Sequence, residues 1–157
     1  MTLEDRVRRL ESFRSIEELI VDLSRAFDGG PSADKLRPLF TDDARFEIDQ
    51  YGVLDGGDGI TNGVVGNAGR GFSWTLHYLV SPKIEMSADG RGADLDFMLW
   101  EVATSASGKA YFVGGRYVAR AVENGGQWRF AHLRLEADLI SHYPTGWVEK
   151  PATLSDA

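Results

Sequence analysis

The 157-residue chain contains no cysteine. Disulfide staples, thiolate nucleophiles and cysteine–zinc sites are therefore excluded, and the composition fits a reducing compartment such as the cytoplasm. Histidine is scarce, with three copies, so each is a candidate for chemistry. No apolar run approaches the roughly 18 residues of a membrane-spanning helix. The stretch from Met1 to Leu10 is too charged for the apolar heart of a signal peptide. Basic side chains number 17 against 24 acidic ones, a net charge of −7. That sign is poorly suited to phosphate backbones, and no polybasic cluster faces anionic membranes, so neither nucleic acid nor membrane is an expected partner. Also missing are a Gly-Lys-Ser/Thr phosphate loop, a Gly-x-Ser-x-Gly nucleophile elbow and a His-Glu-x-x-His zinc motif. No metal site is expected.

What is present is an ordinary globular composition, 43% hydrophobic and 11% aromatic. It suffices for one domain with a real core. Residues 1–143 read as that domain, and 144–157 as a loose tail. The first third is helical. Leu3, Val7 and Leu10 suggest a short helix. Ser15 and Glu18 then form a capping-box pattern ahead of the stripe Ile16, Leu19, Ile20, Leu23 and Phe27. Asp28-Gly29-Gly30-Pro31 stops that helix. Ser32 is expected to cap a brief third helix through Leu39 and Phe40. From Ala44 the alternation of Phe46 and Ile48 with charged neighbours reads as a strand. Residues 52–71 hold eight glycines and read as a loop, with a poor helix over 59–69 and the character of a lid over a pocket.

Four long strands follow, 74–86, 93–104, 110–122 and 127–139, joined by short glycine-containing turns that force antiparallel neighbours. Gly114 and Gly115 mark a bulge or sharp bend. Helices first and a long meander after make an α+β pattern. A bent sheet with helices across one side makes a cone, and a cone encloses a pocket.

These residues resemble a known family. Leu10-Glu11, Ile16, Leu19 and Asp28-Gly29, then Leu39-Phe40-Thr41-Asp42-Asp43-Ala44, His77, Gly115-Arg116-Tyr117 and Gly126-Gln127-Trp128-Arg129-Phe130 are similar in order to the SnoaL-like family. Its wider group includes nuclear transport factor-like proteins, ketosteroid isomerase, scytalone dehydratase, bile acid dehydratase and hexachlorocyclohexane dehydrochlorinase. The likeness runs from about Val7 to Leu139. It implies a cone-shaped, cystatin-like α+β barrel, with N-terminal helices on a strongly curved, mostly antiparallel mixed sheet. It also implies a homodimer, and a small hydrophobic or polycyclic ligand in the cone.

In the family's lyases an aspartate at the end of the long helix pairs with a histidine on a central strand. Asp28 and His77 match those positions. The resemblance then implies cofactor-free acid–base chemistry, a dehydratase, isomerase or related lyase, with His77 as base and Asp28 fixing its tautomer. Those lyases carry a tyrosine or lysine five residues before the aspartate, where this chain has Leu23. A basic residue is usual on the last strand, and His132 or Arg134 could supply it, counted at the same parity as Trp128 and Phe130. Asp96, between Leu95 and Phe97, is a candidate carboxylate as in isomerase-type members. With Arg116 and another acid it could make an epoxide-hydrolase set. Tyr51, Trp74, Trp100 and Tyr117 are candidate aromatic walls or hydroxyl handles for the ligand. The alternative reading is a non-catalytic binding or assembly module, such as the small subunit of a ring-hydroxylating dioxygenase.

Overall fold

Thr2 starts the first helix. Its hydroxyl accepts from the Asp5 N–H, and the Asp5 carboxylate accepts from the Thr2 N–H, a reciprocal capping box. From there α1 runs unbroken over Leu3–Phe27 in the computed structural model, which describes residues 1–68 and 70–144. The expected break before Ser15 is absent. No glycine or proline interrupts the segment, and Glu18 pairs outward with Arg14 at 2.9 Å instead of reaching back to a cap. Ile16, Leu19, Ile20, Leu23 and Ala26 are buried in one stripe, while Leu3, Val7 and Leu10 stand exposed. After Asp28 the chain turns through Gly29 and Gly30, both at positive φ.

The third helix is shorter than expected. It is α2, Ala33–Leu36, followed by a 3-10 turn, Arg37–Leu39. Ser32 stands at its N-cap position without a side-chain cap bond. Strand β1, Phe40–Ile48, begins four residues before the alternation becomes regular. The glycine-rich segment is ordered rather than a loop, and the helix expected within it is present. It forms β2, Gly52–Asp55, paired antiparallel to β1, and α3, Gly57–Asn67. Here glycine permits close packing. A Cβ on Gly57 would lie 2.7 Å from the Thr41 carbonyl, and one on Gly63 would lie 2.6 Å from the Leu54 side chain.

The long strands are β3 (Phe72–Met86), β4 (Gly92–Ser105), β5 (Ala110–Asn124) and β6 (Gln127–Tyr143). The sheet order is β2-β1-β6-β5-β4-β3, with β1 and β6 parallel and the other neighbours antiparallel. The sheet does not close, so β2 and β3 are its edges. Helix α1 lies on the inner face, its buried stripe sharing one core with Leu95, Phe97, Leu99, Tyr117, Phe130 and Leu133.

Bulges bend this sheet and decide which side chains face inward. At Gly115 the pairing slips, so that Gly114 faces Leu139 but Gly115 faces Ala137. A Cβ on Gly115 would sit 2.1 Å from the Glu136 carbonyl, so this bend requires glycine. A second slip skips Ala131, pairing Ala121 with Phe130 and Arg120 with His132. It reverses the parity of β6: Trp128 and Phe130 are buried before it, and Leu133 after it. His132 and Arg134 thus lie on the outer face, correcting the parity read from the sequence. Among the described residues no helix is long and apolar enough to cross a membrane.

Candidate active site

Strand β3 is an edge strand, so its outer N–H and C=O groups need partners from elsewhere. The end of α1 supplies them at His77. The Asp28 carboxylate accepts the His77 N–H at 2.9 Å, and the Ser24 hydroxyl donates to the His77 carbonyl at 2.8 Å. Ending α1 at Asp28, with an extended backbone there, turns that carboxylate onto the strand. Its Oδ1 then takes the imidazole Nδ1 at 2.7 Å and the Thr75 hydroxyl at 3.0 Å. Burial opposes charge on Asp28, but the bonds from His77 and Thr75 outweigh it, and the carboxyl is held below the usual range. A charged carboxylate can only accept. Nδ1 therefore carries a proton, and in the neutral ring Nε2 keeps its lone pair.

Nε2 faces inward. Glu101, directly opposite His77 on β4, places Oε2 3.5 Å from it. The Glu101 side chain is 8% exposed and that of His77 10%. Burial pushes the Glu101 carboxyl up; a charge on His77, when the ring is protonated, offsets this in part, and the Asp28 charge adds to it. The surrounding wall is apolar. Phe27 lies 5.2 Å from the imidazole, centroid to centroid. Phe97 stacks on Tyr117 at 5.3 Å, and Phe46 approaches the same ring. Tyr117 is buried, and burial together with Glu101 raises its hydroxyl above the ordinary phenol range.

Of the residues singled out from sequence, Asp28, His77 and Tyr117 meet on the inner side. The others do not join them. Asp96 is on the outer face, 3.2 Å from Arg116, which also binds Glu136, so this pair is a surface ladder. Trp74 and Trp100 are half exposed on the outer face, and Trp100 stacks on Phe112. His132 binds Glu47 at 2.9 Å, and Arg134 lies 3.5 Å from Glu136. Tyr51 sits in the exposed β1–β2 turn, with its hydroxyl bonded to the Asn67 amide. Tyr51 and Arg134 do share a shallow surface hollow of about 480 Å³, but neither His77 nor Asp28 lines it. Leu23 is fully buried. Among the described residues no cluster of three or more His, Asp or Glu side chains is arranged to hold a metal ion.

Glu101 was not singled out from sequence. Its signal is there: it continues the inward alternation Leu95, Phe97, Leu99 and precedes Ala103, a charge in a row of apolar residues.

The model of the SnoaL-like domain matches residues 8–134 of this sequence. The chain belongs to the SnoaL-like family. No curated protein matches it significantly by sequence. Solved structures match over nearly the whole SnoaL-like chain. A type 2 hexachlorocyclohexane dehydrochlorinase (LinA) shares 17% identity, with a TM-score of 0.84 over 94% of this chain and 99% of its own. A provisionally named scytalone dehydratase from Novosphingobium aromaticivorans shares 21%, with a TM-score of 0.78 over 92% and 99%. A nuclear transport factor 2-like protein from Salmonella enterica serovar Typhimurium shares 20%, with a TM-score of 0.71 over 94% and 99%. Identities this low establish the α+β cone fold of the SnoaL-like chain, and fold alone does not carry function. What the site adds is an oriented imidazole whose Nε2 lies 3.5 Å from Glu101, beside an apolar wall.

Proposed function

We propose that this protein is a cofactor-free acid–base enzyme, a dehydratase, isomerase or related lyase acting on a small hydrophobic molecule. The observation that carries the reading is the double grip of one carboxylate on His77, at its ring and at its backbone N–H. That grip fixes both the tautomer and the direction of the ring, which a general base requires before its basicity matters. His77 Nε2 takes a proton from carbon, and the electron pair left behind expels a leaving group or shifts a double bond. Asp28 stabilises the imidazolium so formed. Phe27, Phe46, Phe97 and Tyr117 suit a flat apolar substrate.

The outer face of the sheet supports a homodimer. Trp74, Tyr78, Val80, Met98 and Trp100 form an apolar group, each more than a third exposed. Such patches mark association surfaces.

The test combines tautomer and turnover. Nitrogen NMR of His77 should show Nδ1 protonated and Nε2 bare in the neutral ring. A screen of hydroxylated and halogenated cyclic compounds should find turnover that His77→Asn abolishes. A ligand-binding module would instead hold the same ligands unchanged by wild type and His77→Asn alike.

A further inference from the structure

We propose that Glu101 is the proton donor to the leaving group, and that the leaving group is a hydroxyl. This rests on His77 being the base. Elimination of a hydroxyl needs an acid, because hydroxide leaves poorly, whereas a halide departs without one. Helix α1 offers none, since Leu23 is buried and apolar. The last strand offers none either, because the β6 bulge turns His132 and Arg134 outward and leaves Leu133 facing in. The carboxyl that does reach the base is Glu101, 3.5 Å from Nε2.

The groups facing Glu101 are His77 from β3, Asp28 from the end of α1 and Tyr117 from β5. Among the described residues no lysine or arginine pairs with it. With His77 neutral, as a base must be, two negative neighbours are avoided only if one carboxyl holds a proton. Asp28 is held charged by three hydrogen bonds, so the proton falls to Glu101.

The step balances without a cofactor. The C–H bond breaks and its proton goes to Nε2. Its electron pair becomes the new C=C bond. The C–O bond breaks, its electron pair leaves on oxygen, and that oxygen takes the proton from Oε2 to depart as water. The Nε2 proton then passes to Oε2 and restores both groups. Acid and base on adjacent strands serve one face of the substrate, so the elimination is syn.

Two measurements test this. Carboxyl carbon NMR of glutamate-labelled protein, with Glu101 assigned by its loss in Glu101→Gln, should show Glu101 still neutral at a pH where the exposed glutamates of the same protein are ionised. An ionised Glu101 at that pH overturns the proposal. Rates are then compared on a β-hydroxy aryl ketone and its β-chloro analogue. Glu101→Gln should lower the hydroxy-to-chloro rate ratio by about 10²–10⁴-fold. Equal losses on both substrates overturn the acid role and leave His77 as base. A His77→Asn protein as active as wild type on both overturns the base itself, and the acid role with it. Glu101→Asp, which keeps the acid, should retain a ratio nearer to wild type than Glu101→Gln does.

Discussion

Replacing Asp28 with asparagine removes one oxygen acceptor and adds two N–H donors in the same volume. The native carboxylate accepts three bonds, two at Oδ1 and one at Oδ2. The amide can satisfy only one side. If its oxygen takes the Oδ1 position, its NH₂ faces the His77 backbone N–H, and a nearly buried donor loses its acceptor at about 1–3 kcal/mol. If the oxygen takes the Oδ2 position, the NH₂ faces Nδ1, the imaginable remedy being a proton shift to Nε2, which destroys the base. One arrangement costs stability and the other costs activity. For a domain of this length about 3 °C of melting temperature accompanies each kcal/mol, so the first arrangement lowers Tm by roughly 3–9 °C. The second lowers turnover by about 10²–10⁴-fold. Circular dichroism melts and nitrogen NMR of His77 separate them. The difference from wild type should also fade in acid. A carboxyl held low binds fewer protons folded than unfolded, so its stabilisation is complete above the free value near 3.8 and is lost as pH falls below it. An Asp28→Asn protein that melts within about 1 °C of wild type at neutral pH and keeps its proton on Nδ1 would refute this account.

Glu101 carries the opposite sign. A carboxyl held above its free value binds more protons folded than unfolded, so stability falls as pH rises from about 4.5 through the folded value. Glu101→Gln should therefore gain on the order of 1 kcal/mol over wild type at pH 8 and much less at pH 4, read by urea unfolding at both. Gly115→Ala should lose about 1–3 kcal/mol, because its methyl would enter the Glu136 carbonyl at the bulge; the same melts measure it. Trp100→Glu, placing charge in the half-exposed outer patch, should abolish the proposed dimer by light scattering while leaving the fold intact.

Much of this fold is legible in the chain because long strands with period-two alternation and short glycine turns leave little freedom. The ends of the four long strands extend only a few residues beyond the sequence reading. Gly114–Gly115 announced its bulge through the missing side chains. The Ala131 bulge announced nothing, since alanine is ordinary in a strand, and one skipped residue reversed the reading of His132 and Arg134. The glycine-rich segment, whose helix was expected but whose strand was read as loop, was only half legible for a related reason. Glycine signals loops when its φ is positive, but Gly57 and Gly63 serve contact distance inside a helix, which only the tertiary neighbours Thr41 and Leu54 reveal. Asp28 and His77 were found because a resemblance named their places. Thr75 and Ser24, which complete the grip, carry no local pattern.

The remaining question is why a carboxyl stands at 101 when Leu95, Phe97 and Leu99 share its row. A structural answer would give Glu101 something to hold. Among the described residues its near titratable partner is His77, and that residue is already fixed at its ring, its N–H and its carbonyl by Asp28 and Ser24. Glu101 adds no orientation that these bonds lack, and its burial disfavours its charged form. A leucine there would fit a passive ligand-binding wall and remove that penalty. A group that opposes the stability of the fold, supports no other group and touches the free nitrogen of an oriented histidine is placed for proton transfer. On that argument Glu101→Leu should melt higher than wild type at neutral pH and lose dehydration activity. A variant that melts lower with its activity intact returns Glu101 to a structural role.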